Sequence, residues 1–297
     1  MAEVLRRERI QVVRVVKKRR LPPQAILFRA FLYFIIIFLG FTMLLPFVWM
    51  TSTAFKPADQ VLLYPPTFIP RPFTLDNFYK VFSSVPLVRY YMNSIIIAVS
   101  VTLFNLFFDS LAGYAFAKFR FPGRNKIFIL ILATMMIPFQ VTLIPVFWEL
   151  KWLGWLNTYQ GLIVPHAAGA FGIFLMRQYI KQTLPTELMD AARIDGSSEL
   201  GIYFRVVLPN IKPALATLGI FTFMGTWTDV LWPLIVSTND KMFTLPLGLA
   251  NFSDRYTIFY GQQMAMTFLI VVPIIIVFLF FQRYFIEGIT LSGLGGH

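Results

Sequence analysis

Asp109 and Asp229 each fall inside a long apolar stretch. An ionisable side chain is costly there, and it turns toward a bundle interior or a water-filled path. Asn105 precedes Asp109 by one helical turn, and Trp227 and Trp232 flank Asp229 in Gly225-Thr226-Trp227-Thr228-Asp229-Val230-Leu231-Trp232-Pro233. Aromatic faces beside carboxylates and amides suit hydroxyl-rich solutes, so these five residues are candidate pathway groups. A second reading stays open for each. The aspartates can bond neighbouring helices, and the tryptophans can anchor the membrane interface. Asp109 lies nine residues before Lys118, about 13 Å along a helix.

Other chemistries lack their residues. There is no Gly-Lys dipeptide and hence no phosphate-binding G-x-x-x-x-G-K-[ST] loop, so ATP and its Mg must be held by another chain. His166 and His297 are too few and too far apart for a zinc cluster, and cysteine is absent. His166, beside Pro165 in a small-residue segment, is expected to be a helix-packing donor. No catalytic constellation stands out, and a non-enzymatic role is expected.

A different pattern occupies Leu184-Pro185-Thr186-Glu187-Leu188-Met189-Asp190-Ala191-Ala192-Arg193-Ile194-Asp195-Gly196-Ser197-Ser198. Pro185 ends one helix and Thr186 can cap another. Leu188, Ala191 and Ala192 recur at i, i+3, i+4, which predicts a small apolar face. Gly196 can take the left-handed conformation that closes a helix. Ser197 then caps a second helix, with Leu200, Tyr203, Phe204 and Val207 as its stripe. Two short amphipathic helices joined by a glycine turn are predicted over 185–209.

The elements that carry these groups are membrane helices. Of 297 residues, 57% are hydrophobic and 13% charged, against about 25% charged in soluble domains. Six apolar runs lie near 30–49, 91–117, 127–148, 157–176, 213–236 and 264–281. None alternates as a barrel strand would. The net charge of +12 does not mark a nucleic-acid binder, because eight basic residues crowd into 6–20, just before the first run. Basic residues at that place fix topology and touch anionic membrane lipid. With the N-terminus inside, nineteen Lys and Arg fall on the cytoplasmic side and seven outside. Both termini are therefore expected in the cytoplasm. Neither a cleavable signal peptide nor an internal repeat is evident. The proline-rich segment 51–89 reads as an ordered cap or irregular loop.

Asp190-Ala191-Ala192-Arg193-Ile194-Asp195-Gly196, with Leu208-Pro209 and Pro213 behind it, resembles the EAA loop of binding-protein-dependent ABC importer permeases. Asp190 stands where the family's glutamate usually is, which keeps the charge but shortens the reach. Leu111-Ala112-Gly113-Tyr114-Ala115-Phe116-Ala117-Lys118, then Phe121-Pro122-Gly123-Arg124, is similar to the end of the second core helix in maltose-type permeases. The tail Gln282-Arg283-Tyr284-Phe285-Ile286-Glu287-Gly288-Ile289-Thr290 is similar to their C-terminus. The resemblance implies an all-α membrane protein of type I ABC importer architecture, with six transmembrane helices and a cytoplasmic coupling-helix loop. It implies a single permease domain at 26–297 with a coupling loop at 185–209, whereas the basic cytoplasmic segment expected at 1–25 matches nothing in the family. Glu187, Leu188, Asp190, Ala191, Ala192, Asp195, Gly196 and Leu200 would contact an ATPase.

Implied partners are a second homologous permease, two cytoplasmic ATP-binding subunits and an extracytoplasmic solute-binding protein. The setting is a bacterial or archaeal inner membrane, and the cargo a sugar, oligosaccharide or polyol. In the family, the outer loop at 237–263 reaches into the binding protein. Here it holds Asn239, Asp240, Asn251, Asp254 and Arg255 among Leu245, Pro246, Leu247 and Tyr256. A phosphorylated polyol such as glycerol phosphate is an alternative cargo, although no mid-membrane Lys or Arg favours it. A gradient-driven carrier using Asp109 and Asp229 as a proton relay leaves the helix pair unexplained. A non-transporting scaffold is a further alternative.

Overall fold

A computed structural model describes residues 23–252 and 259–293, and among these the regular structure is helical with no strand. The basic positions 6–20, Asp254, Arg255, Tyr256 and His297 lie outside the described residues. The chain divides into two units, 1–49 and 50–297. The first is described through one helix, α1 (Pro23–Ala54), whose last residues enter the second unit. Beyond Arg29 it carries no charged side chain, and it is apolar around its circumference, as a helix solvated by lipid must be. Its 32 residues cover about 48 Å, more than the roughly 30 Å of bilayer hydrocarbon.

In the second unit the proline-rich segment forms an ordered cap with two short helices, α2 (Ala58–Val61) and α3 (Asp76–Ser84). Asn77 fixes it by donating to the carbonyls of Ala54 at 3.0 Å and Lys56 at 2.7 Å. Phe55 adds ring contacts to Phe73, Phe78 and Phe268 at 4.6, 4.9 and 5.6 Å.

α4 (Leu87–Lys118) is an unbroken span. Proline then decides where the next runs bend. The run expected as one helix over 127–148 is two, α5 (Arg124–Thr134) and α6 (Phe139–Trp152), bent by 97°. Pro138 lacks an amide hydrogen and drives its predecessor out of helical conformation, so the chain breaks before it. The fourth run comprises α7 (Tyr159–Ile163), a 3₁₀ turn at Val164–His166 and α8 (Ala170–Thr183), bent by 41°.

The connector holds α9 (Thr186–Ile194), α10 (Glu199–Ile202), a π-turn at Tyr203–Val207 and α11 (Leu208–Asn210). An 82° bend then leads into α12 (Lys212–Thr228). The helix expected to continue to 236 stops at Asp229, and α13 (Leu231–Val236) follows. Pro233 accounts for that break, since a proline ring clashes with the carbonyl four residues back. α14 (Leu245–Phe252) and the long α15 (Tyr260–Gly293) complete the described chain.

Among the described residues Leu27–Ala54, Leu87–Lys118 and Tyr260–Gln282 are each long and apolar enough to cross a bilayer, and the spans number up to six if each of the three bent pairs is one span. α4 packs on both α8 and α12, and α12 packs on α15. At one end of this bundle Tyr114, Met176 and Ile180 join Met189, Ile202 and Tyr203 in one apolar core. The connector helices are thus rooted in the spans.

Candidate coupling surface and membrane cleft

Local chemistry shapes the connector. Pro185 occupies the N-cap position of α9 with extended backbone, and Thr186, expected as the cap, is the first helical residue. Gly196 closes α9 at φ +78°. Its amide donates to the Arg193 carbonyl at 3.0 Å, and the Ser197 amide donates to the Ala192 carbonyl at 3.0 Å. That pair of bonds is a Schellman motif. Ser197 belongs to this closure, so the cap of α10 falls one residue later than expected. The Ser198 hydroxyl accepts from the Gly201 amide at 3.2 Å.

The faces differ from the periodic expectation. Leu188 (43% exposed), Ile194 (87%) and Leu200 (61%) form an apolar surface with exposed Ala191. Ala192 instead turns inward and, beside buried Met189, packs on the core. In the second stripe Leu200 and Phe204 are exposed while Tyr203 and Val207 are buried. The exposed pair and the buried pair are each spaced i, i+4, so they occupy adjoining faces, and a π-turn spans Tyr203–Val207. Glu187 and Asp195 are exposed, at the first turn and the C-cap of α9.

Asp190 reaches its partner despite the shorter side chain. Arg193 donates to Asp190 Oδ1 at 2.6 Å and, through Nε, to Glu199 Oε1 at 2.7 Å. The Arg193 hydrogen bond holds the Glu199 carboxyl below the usual range, and Glu199 in turn raises Arg193. The Tyr114 hydroxyl donates to Glu199 Oε2 at 3.2 Å. Tyr114 packs beside Tyr203 at 6.1 Å, whose hydroxyl lies 2.7 Å from Ser110 Oγ. A continuous line of contacts therefore runs from the connector into α4.

Farther along α4 a cleft of about 370 Å³ opens against the bends of the fourth and fifth runs. Asn105, His166, Thr222, Thr226, Asp229 and Trp232 all line it. Asp229 Oδ1 accepts from the amides of Leu231 at 2.9 Å and Trp232 at 3.3 Å, replacing the helix bonds lost at the break. Asn105 Nδ2 donates to the carbonyls of Val101 at 3.0 Å and His166 at 2.5 Å, which holds the 3₁₀ turn. The His166 ring stands 5.1 Å from Trp232 and 5.9 Å from Phe139, and among the described residues its side chain makes no hydrogen bond of the kind expected of a packing donor. His166 Nδ1 and Trp232 Nε1 are buried without a hydrogen-bond partner.

Two expected pathway residues sit elsewhere. Asp109 is 0% exposed behind the cleft, and its Oδ1 accepts the Gly169 amide at 2.9 Å at the start of α8. Its other oxygen lies against Gly172, where an added Cβ would come within 1.9 Å of it. The carboxyl binds a neighbouring helix end instead of lining the path. Trp227 is 2% exposed, faces Tyr91 and Phe223, and donates to the Ile270 carbonyl of α15 at 3.0 Å. It points away from the cleft because the helical turn between positions 226 and 227 carries the side chain to the next face.

Residues 109–290 match the family described as the binding-protein-dependent transport system inner membrane component. The chain belongs to this family. The arabinooligosaccharides transport system permease protein AraQ of Halalkalibacterium halodurans is 39% identical over 262 residues, covering 87% of this chain and 94% of that protein. The lactose transport system permease protein LacG of Rhizobium radiobacter is 35% identical over 260 residues, covering 88% and 94%. A crystal structure of a bacterial ABC transporter that imports the acidic polysaccharide alginate superposes with a TM-score of 0.81. That match is 23% identical and covers 90% of this chain and 99% of the other. The permease fold is shared, and family membership sets aside the gradient-driven carrier.

Sequence reasoning passed over Glu199, Tyr114, Thr222 and Thr226. Glu199 carried a signal, a carboxylate six residues after Arg193 and directly after a capping serine. The threonines carried one too, since 222, 226 and 229 fall at i, i+4 and i+7 on one helix face.

Proposed function

We propose that this permease forms half of a membrane pathway through which an ATP-driven importer brings a sugar, oligosaccharide or polyol into the cytoplasm. The observation that carries this reading is the connector 185–209. It is a helix pair rooted in the spans, closed at Gly196, and presenting Leu188, Ala191, Ile194 and Leu200 outward. Such a surface fits a groove on a cytoplasmic ATP-binding subunit, which would hold ATP and Mg and supply the hydrolysis that this chain has no loop to perform. Motion there would reach α4 through Arg193, Glu199 and Tyr114. The connector and both termini then lie on the cytoplasmic side, as the basic residues favour. A homologous second permease completes the path, and a solute-binding protein delivers cargo at the opposite end. Relatives named for arabinooligosaccharides and lactose support a carbohydrate cargo.

The test is reconstitution in vesicles with the second permease, two ATPase subunits and the binding protein. Loaded binding protein is expected to stimulate ATPase activity and solute uptake, and an uncoupler of ion gradients is expected to leave uptake intact. Uptake that stops with the uncoupler, or ATPase activity indifferent to loaded binding protein, overturns the reading.

A further inference from the structure

We propose that Thr222, Thr226 and the outer oxygen of Asp229, beside Phe221 and Phe171, form a cargo subsite that accepts uncharged hydroxyl-rich solutes and excludes anions. The proposal rests on the importer reading above and adds a place and a charge rule to it. All five residues line the 370 Å³ cleft. Sites for small molecules begin at about 300 Å³, so the space suffices for part of such a ligand.

The argument starts from unused hydrogen-bonding capacity. Thr217 and Thr228 on the same helix bond back to the carbonyls of Pro213 and Met224 at 3.0 and 2.8 Å. No hydrogen bond engages the hydroxyls of Thr222 and Thr226 among the described residues, although both stand within a span where polar groups need partners. Asp229 commits only Oδ1 to the start of α13. Between these groups Gly225 leaves the helix surface bare, with no atom within 4 Å of the place a Cβ would take. Next to this polar stripe Phe221 of the same helix meets Phe171 of α8 edge to face at 6.2 Å, and each of the two residues is nearly half exposed. Hydroxyls adjoining aromatic rings in one cleft match the polar and apolar surfaces of a saccharide or polyol.

Charge supplies the selection. The cleft lining holds the Asp229 carboxylate and neither lysine nor arginine. Close to a fixed negative charge in a medium of low dielectric constant, an anionic solute is repelled while a neutral one is not.

The experiment uses the assembled permease–ATPase complex in lipid nanodiscs without binding protein, so that delivery does not mask the subsite. Saturation-transfer NMR detects weak binding of neutral oligosaccharides and of the same oligosaccharides oxidised to a terminal uronate. Neutral probes are expected to show contact and uronates at least tenfold less. Asp229→Asn keeps an oxygen to cap α13 but removes the charge, and should raise the uronate signal toward the neutral one. Thr226→Val and Thr222→Val should each weaken neutral binding about fivefold, the worth of one hydrogen bond. Thr228→Val, whose hydroxyl is bonded to its own helix, should change nothing. Equal signals for the two probe classes in the wild type, an Asp229→Asn variant as selective as the wild type, or threonine variants that bind normally overturn the proposal. Wild-type ATPase stimulation by loaded binding protein, measured on the same preparation, shows whether the importer reading stands when the subsite fails.

Discussion

Gly196 offers the sharpest test of how the connector works. Its φ of +78° lies in the left-handed region, and nothing stands within 4 Å of an added Cβ. A substitution there meets no clash, so its whole effect is on backbone preference. That preference costs about 1–2 kcal/mol for an ordinary residue and more for a β-branched one. Asparagine tolerates the region better than most. The order Gly > Asn > Ala > Val is expected for any property that needs the turn. Two hydrogen bonds of 3.0 Å depend on it, from Gly196 and Ser197 back into α9. So does the approach of Glu199 to Arg193 at 2.7 Å, three residues past the glycine.

A penalty of about 2 kcal/mol shifts the ratio of closed to opened connector about 30-fold. In vesicles holding the complete importer, Gly196→Val is expected to assemble but to move about tenfold less solute per ATP hydrolysed. Faster hydrogen exchange at the Ser197 amide should accompany that loss. Gly196→Asn should fall between it and the wild type on both measurements. A valine variant that assembles and transports at the wild-type rate refutes the reasoning. So would an asparagine variant as impaired as the valine one, since the left-handed turn would then not be the relevant property.

Two further outcomes follow from contacts nearby. Gly172→Ala would push a Cβ within 1.9 Å of Asp109 Oδ2, so it should lower the melting temperature of the purified complex by the equivalent of about 1–3 kcal/mol. Adding Asp109→Ala should recover part of that loss, whereas strictly additive effects would show that the two residues do not share the contact. At the connector, Arg193 depresses the Glu199 pKa, so the stabilisation it supplies is complete above the unfolded glutamate value and is lost as pH falls through the lower folded one. Acid below about pH 4 should therefore loosen the wild-type connector in hydrogen exchange more than that of Glu199→Gln. Equal acid sensitivity would remove Glu199 from the account.

What could be foreseen from the residues, and what could not, divides along a physical line. Spans are set by apolar length and the glycine turn by local backbone preference, and both are properties of short stretches of chain. The six apolar runs and the left-handed Gly196 were legible for that reason. Which side of a helix meets the core depends on register, and register accumulates every irregularity along the way. In the stripe after Gly196, Tyr203 and Val207 turn inward while Leu200 and Phe204 stay outside. The break at Pro138 turned one expected span into a bent pair, and the break at Asp229 ended another early.

The same distinction explains the two aspartates, which looked alike as isolated charges in apolar runs. Asp229 stands at a break, where the missing helix bonds and the open cleft divide its two oxygens between structure and solute space. Asp109 stands in an unbroken helix facing another helix's start, and the Gly169 amide claims it. Trp227 and Trp232 separate likewise, one donating to α15 and the other meeting His166 edge to face at the cleft. In a membrane, where lipid satisfies no backbone group, the role of a polar residue is set by the nearest broken helix. Locating the breaks first, from the prolines, would have assigned Asp229 and Trp232 to the cleft and sent Asp109 to the start of α8.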